Sequence, residues 1–154
     1  MIRRAEEKDI GALTKLLFQV QKVHSDGRPD IFKAGKRKYT DEELLRIIGD
    51  DGRPIFVYDE DGAVSGYAFC IKQYTSETEQ LCRRSTLYID DLCVDESRRG
   101  QHIGKALYEY VLDYAKKEKF DSVTLNVWAL NESAYGFYVK MGLAPLKTMM
   151  EKRL

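Results

Sequence analysis

Between Asp90 and Lys105 the chain reads Asp-Asp-Leu-Cys-Val-Asp-Glu-Ser-Arg-Arg-Gly-Gln-His-Ile-Gly-Lys. Two kinds of chemistry meet there. Asp90 and Asp91 are adjacent carboxylates late in a run otherwise rich in apolar residues. A carboxylate so placed can take a proton from an ammonium group, or simply attract a cation. Downstream, a polar turn bearing Gly100 leads into a strong helical pattern. A helix N-terminus offers unpaired backbone N–H groups and the positive end of the helix dipole, which suits a phosphate or pyrophosphate. Arg98, Arg99 and Lys105 add positive charge, and Gly100 and Gly104 allow a ligand close to the backbone. Any strand-to-helix crossover also tolerates a polar, glycine-bearing loop, so this segment alone leaves anion binding and plain connection equally open. Neither GxxxxGK[ST] nor GxGxxG is present.

The elements that must position these residues are legible as periodicities. Ile2–Ala5 reads as a short strand. Asp9 is a candidate N-cap for a helix carrying Ile10, Leu13, Leu16, Leu17, Val20 and Val23, which the segment Ser25–Asp30 breaks. Thr40 to Glu43 has capping-box spacing for a second helix through Ile48. Strands over 54–58 and 63–74 flank a hairpin turn at 59–62. A strand over 86–94 precedes a helix with a stripe of Ile103, Ala106, Leu107, Tyr110, Val111, Tyr114 and Ala115. A strand over 122–128, a helix over 132–141 ended by Gly142 and a last extended segment over 144–151 complete the order βααβββαβαβ. An early antiparallel meander followed by strand–helix alternation predicts an α/β fold with a mixed sheet in one domain over 1–154.

Composition narrows the function classes. Among 154 residues, 25 Lys and Arg balance 25 Asp and Glu, so long-range attraction to nucleic acid or an anionic membrane is weak. No apolar run approaches a membrane span, and the first residues lack the apolar core of a signal peptide. The expected location is the cytoplasm. The 3 cysteines are far apart and only 2 histidines exist, which predicts neither a metal site nor a disulfide framework.

The segment Ile89–Asp95 followed by Arg99-Gly100-Gln101-His102-Ile103-Gly104 resembles the acetyl-coenzyme A motif of the GNAT acetyltransferase superfamily, [QR]xxGx[GA] after a strand. A second block, Leu125 to Gly142, is similar to that family's last strand and helix, with Asn131 and the Phe137-Tyr138 pair in matching places. The resemblance implies a GNAT fold, acetyl-CoA as co-substrate and an amine acceptor. One departure is His102, where the family usually has glycine; its side chain is expected to point outward.

On the same resemblance, the cofactor-binding residues are Leu92, Cys93, Val94, Arg99, Gly100, Gln101, His102, Ile103, Gly104, Lys105 and Asn131. The backbone of Leu92, Cys93 and Val94 would run along the pantetheine arm, with the Leu92 N–H polarising the thioester carbonyl. Tyr138 would donate to the leaving thiolate. Each has a plainer reading: Leu92 and Val94 as core strand residues, Cys93 as a small packing residue, Tyr138 as half of an aromatic pair, Asn131 as an N-cap. Polyamine-type members have an acidic residue at the place of Asp90, which makes it the candidate base. Strand alternation puts Asp90 on the face of Tyr88, and Asp91 on that of Leu87, Ile89 and Cys93. A charge that only attracts or pairs is the equal alternative for Asp90. Some peptide-acetylating members carry glutamate at the place of Asn126, which cannot be a base. The segment His24–Phe32 lies where such folds line the acceptor site, and the run Lys33, Lys36, Arg37 and Lys38 reads as a solvated face. The expected activity is direct acetyl transfer to an amine, with a non-catalytic acyl-CoA-binding module as the alternative. Terminal strands of such sheets often pair between subunits, so a homodimer is expected.

Overall fold

The computed structural model describes residues 1–154. Its centre is a five-stranded sheet in the order β1-β2-β3-β4-β5. The strands are β1 (Ile2–Arg4), β2 (Ile55–Glu60), β3 (Ala63–Thr75), β4 (Arg84–Val94) and β5 (Ser122–Leu125). The first three pairings are antiparallel and β4–β5 is parallel, giving the mixed α/β sheet that the element order implies. Helices α1 (Ile10–Gly27) and α2 (Asp41–Ile48) come early; α3 (Ile103–Lys117) and α4 (Glu132–Lys140) come late. No helix is long and apolar enough to cross a membrane.

Two apolar layers enclose the sheet. One joins Leu13, Leu16 and Leu17 of α1 and Leu44 and Ile47 of α2 to Val57, Tyr67, Phe69 and Cys93. The other joins Tyr108, Val111 and Ala115 of α3 to Phe56, Ala68, Cys70, Leu87 and Ile89, with Phe137, Tyr138 and Met141 of α4 packed against it. Residues 67–70 alternate between the layers, as the pleat demands. At Gly66 a Cβ would lie 3.0 Å from both the Cys93 carbonyl oxygen and Leu107 Cδ1. Its missing side chain lets α3 sit close over the end of β4.

The Thr40 capping box is formed: Glu43 N–H donates to Thr40 Oγ1 at 3.2 Å, and Thr40 N–H to Glu43 Oε2 at 2.8 Å. Asp9 precedes α1 but its side chain makes no cap there. It instead receives two bonds from Arg3, at 2.7 and 2.9 Å, and one from Glu6 N–H at 2.8 Å. Arg3 Nε also reaches Asp59 at 2.7 Å, so one guanidinium ties β1 to the start of α1 and to the β2–β3 hairpin.

Two expected strands differ. β5 stops at Leu125 rather than 128, and residues 144–151 form no strand. That last segment finds no ladder partner; side-chain ion pairs hold it instead, Arg28 to Glu151 at 2.9 Å and Arg153 to Asp30 at 2.8 Å.

Arg3, Asp9 and Asp59 have side chains only 15%, 4% and 10% exposed. Replacing Arg3 by Leu strands two buried carboxylates and is expected to cost about 3–5 kcal/mol. Arg3 holds both carboxyls below the ordinary range, although burial opposes this at Asp9. Their contribution is therefore complete above the unfolded value of about 4 and is lost as pH falls below it. Urea denaturation should show the Arg3→Leu deficit in full at neutral pH and reduced in acid; a deficit independent of pH would contradict this origin.

Candidate active site

The parallel β4–β5 ladder joins Thr86–Ile89 to Ser122–Leu125 and goes no further. Beyond Ile89, β4 continues to Val94 with only β3 beside it. Its outer edge there carries backbone groups with no strand partner, and such groups are strong acceptors and donors for an extended ligand.

At the same point β4 has an extra residue. Asp91 pairs with Phe69 and Ile89 with Cys70, so Asp90 stands opposite nothing. This β-bulge corrects the alternation read from the sequence. Ile89 and Leu87 face the α3 layer, while Cys93 faces the α1 layer. Asp90 and Asp91 both find their partners on the α1 and α2 side. Tyr39 donates to Asp90 Oδ2 at 2.6 Å and Lys38 Nζ to Asp90 Oδ1 at 2.7 Å. Tyr67 donates to Asp91 Oδ2 at 2.7 Å. Arg53 in turn reaches the Tyr39 hydroxyl at 3.1 Å. The two carboxylates thus project together rather than to opposite faces.

Their environments differ. Burial pushes the Asp91 carboxyl up to about 6, against the lowering effect of the Tyr67 hydroxyl. Burial also raises the thiol of Cys93 to about 12, which keeps it protonated and a poor nucleophile. On α4, burial holds the Tyr138 hydroxyl above the usual tyrosine value, with the Asp91 charge adding to it. Tyr138 stays protonated at neutral pH and is available as a donor. It packs against Phe137 at 5.2 Å and Tyr108 at 6.4 Å between ring centroids.

After β4, Asp95 caps a short 3-10 turn over Glu96–Arg98, accepting from Ser97 N–H at 3.0 Å, and is tied to Lys15 at 2.6 Å. Gly100 then takes φ +79° and His102 φ +62°, the left-handed region that favours glycine. His102 is the N-cap position of α3 yet its side chain makes no capping bond. The N–H groups of the first turn, Ile103, Gly104 and Lys105, are left to an outside acceptor. Gln101 is held by Arg98 Nε at 3.0 Å, and Lys105 leans toward Glu109 at 3.7 Å. Both side chains have protein partners. Arg99 and His102 are exposed. Asn131 acts as the N-cap of α4, accepting from Ala134 N–H at 3.1 Å. Asn126 donates to Tyr88 at 3.2 Å. No group of three or more His, Cys, Asp or Glu is arranged to hold a metal ion.

The segment before α2 departs from the reading of a solvated basic face. Lys38 pairs with Asp90, and Arg37 pairs with Asp41 at 2.6 Å. Nothing local in the sequence marks Lys38 or Tyr39 as partners of an aspartate some 50 residues away. His24 stacks on Phe32 at 4.8 Å, and Phe32 meets Trp128 edge-on at 5.0 Å. Burial and, after it, the charge of Lys38 depress the His24 pKa.

The β4–β5 ladder therefore ends shortly before the uncapped N-terminus of α3, in the part of the chain that carries Asp90 and Asp91. The chain belongs to the GNAT acetyltransferase family, whose model matches residues 19–143. It is 27% identical over 141 residues to an uncharacterized N-acetyltransferase of Methanocaldococcus jannaschii, covering 92% of this chain and 59% of that protein. A crystal structure of a mutant of the BH1408 protein from Bacillus halodurans superposes with TM-score 0.96 at 30% identity, over 100% of this chain and 99% of the other. An aminoglycoside acetyltransferase from an uncultured soil sample, solved with sisomicin, shares the fold at 17% identity and TM-score 0.74, over 100% and 94% of the two chains.

Two outcomes are expected from this geometry. An Asp whose folded pKa lies above its unfolded value of about 4 costs stability once pH passes through the raised value. Asp91→Asn keeps an acceptor for Tyr67 and removes that cost. The variant should gain stability over the parent above pH 6 and lose the advantage in acid, read from urea midpoints across pH; a constant difference would contradict the assignment. At the α3 cap, His102→Gly should stabilise by about 1 kcal/mol by removing left-handed strain, whereas His102→Val should destabilise. Equal midpoints for the two variants would contradict the strained cap.

Proposed function

We propose that this protein transfers an acetyl group from acetyl-CoA to a primary amine by direct attack within a ternary complex. The observation that carries the reading is the opening of β4 from β5 beyond Ile89 and Leu125, directly before the uncapped first turn of α3. The N–H groups of that turn suit the pyrophosphate. The free edge at Leu92, Cys93 and Val94 suits the amide-bearing pantetheine arm, which can add to it as a strand would.

The chemistry then follows from the side chains at the opening. A donor fixed at the edge, the Leu92 N–H, stabilises negative charge as it develops on the thioester oxygen. The acceptor ammonium must first lose a proton, because it has no lone pair to attack with. Asp90, at the bulge two residues before Leu92, is the group to take that proton. Tyr138, kept protonated by its buried setting, donates to the departing thiolate. Cys93 stays a protonated packing residue, consistent with transfer that needs no acyl-enzyme.

Free-thiol release from acetyl-CoA over a panel of polyamines, amino acids, aminoglycosides and peptide N-termini tests the reading. Turnover with at least one amine is expected. Tight coenzyme A binding with no thiol release for any amine would favour an acyl-CoA-binding module. With an active amine in hand, Tyr138→Phe should lower kcat by at least about tenfold, since positioned proton donors are commonly worth 10²–10⁴-fold. Asp90→Asn should lower kcat most at acid pH; a rise in KM alone would make Asp90 a binder, and full activity would move the proton to Asp91.

A further inference from the structure

The carboxylate proposed above as the base already pairs with an amine of this chain. Lys38 Nζ lies 2.7 Å from Asp90 Oδ1, the carboxylate proposed above to receive the acceptor. The arrangement is built. Tyr39 holds the other oxygen of Asp90 at 2.6 Å, and Arg53 holds the Tyr39 hydroxyl. The segment carrying Lys38 is fastened at both ends: Arg28 to Asp30 and Glu151, at 2.8 and 2.9 Å, and Arg37 to Asp41 at 2.6 Å. The Asp90 side chain is 12% exposed, while that of Lys38 is 44% exposed, so the amine is reachable from solvent although its partner is largely enclosed.

A primary ammonium on the carboxylate beside the acyl site is the chemistry of a bound acceptor. We propose that Lys38 is an internal acceptor, acetylated by its own chain. The proposal rests on the acetyltransferase reading above. The ammonium gives one proton to Asp90, and the neutral Nζ attacks the thioester carbonyl carbon. An N–C bond forms and the C–S bond breaks. The second proton leaves the nitrogen for the departing thiolate, by way of Tyr138. The products are Nε-acetyl-Lys38, coenzyme A thiol and one proton released from Asp90 to solvent. Acetyl-Lys38 has no charge and no longer pairs with Asp90, so the modification frees that carboxylate for an external amine.

The test is incubation of the purified full chain with acetyl-CoA and no added amine, followed by peptide mass spectrometry over time. One acetyl group per chain is expected on Lys38, at least about tenfold faster than on Lys33 or Lys36 of the same segment, as a positioned acceptor should be. The rate should not depend on protein concentration, and Lys38→Arg, which keeps the ion pair, should remain unlabelled at that site while folding normally. Acetyl spread evenly over the three lysines overturns the proposal. So does a chain that acetylates added amines yet leaves Lys38 bare, in which case the acetyltransferase reading stands. Absence of both labelling and thiol release, with coenzyme A still bound, removes both readings together.

Discussion

The structure turns on the place where β4 loses its neighbour. A strand inside a sheet has every backbone group paired, and leaving them unpaired away from water is costly. Here β4 runs past the end of the β5 ladder at Ile89 and goes on to Val94. Such an edge is tolerable only where water or an extended ligand can reach it. The bulge at Asp90 occurs at the same point and adds local twist, which is consistent with the two strands parting there. The helix that follows begins with its first-turn N–H groups uncapped. A free strand edge ending at Val94 and a free helix terminus starting at Ile103 follow each other closely in the chain; the first suits an extended backbone and the second an anion. Gly66 admits α3 against the end of β4, so the two features share one rigid frame.

The same bulge separates two neighbouring carboxylates by environment while putting them on one face. Asp90 is met by a cation and a phenol, and its charge is compensated by Lys38. Asp91 accepts from the Tyr67 hydroxyl, and burial raises its carboxyl above the ordinary range. A strict period-2 strand would have sent one of them into the α3 layer among Leu87, Ile89 and Val111, where a carboxylate has no partner. The extra residue avoids that.

What could be seen in the sequence follows from how local each signal is. The α3 stripe, the Thr40 capping box and the glycine-bearing turn before Ile103 depend on residues within one or two helical turns, and all are found. The bulge is set by how β4 meets Phe69 and Cys70 on another strand, so no pattern within β4 marks it, and the faces of Asp90 and Asp91 were misread in consequence. Lys38 looked solvated because its partner is 52 residues away. Asp9 had the right type and place for an N-cap, but a buried guanidinium from β1 outcompetes a surface capping bond. The segment after Gly142 reads as extended, yet a strand exists only with a partner, and the short β5 supplies none.

His102 shows how such a site tolerates departure from its family's pattern. A glycine would take φ +62° without strain, whereas histidine costs about 1 kcal/mol there, of the order expected for a left-handed L-residue. The turn keeps its shape because its neighbours hold it: Asp95 anchors its start through Ser97 and Lys15, Arg98 grips Gln101 and Glu60, and Ile103, the first residue of α3, is buried. With the histidine ring exposed, the backbone N–H groups of the following turn still face outward. What an anion needs at this position is therefore main-chain direction, which the surrounding anchors secure, rather than any particular side chain at 102.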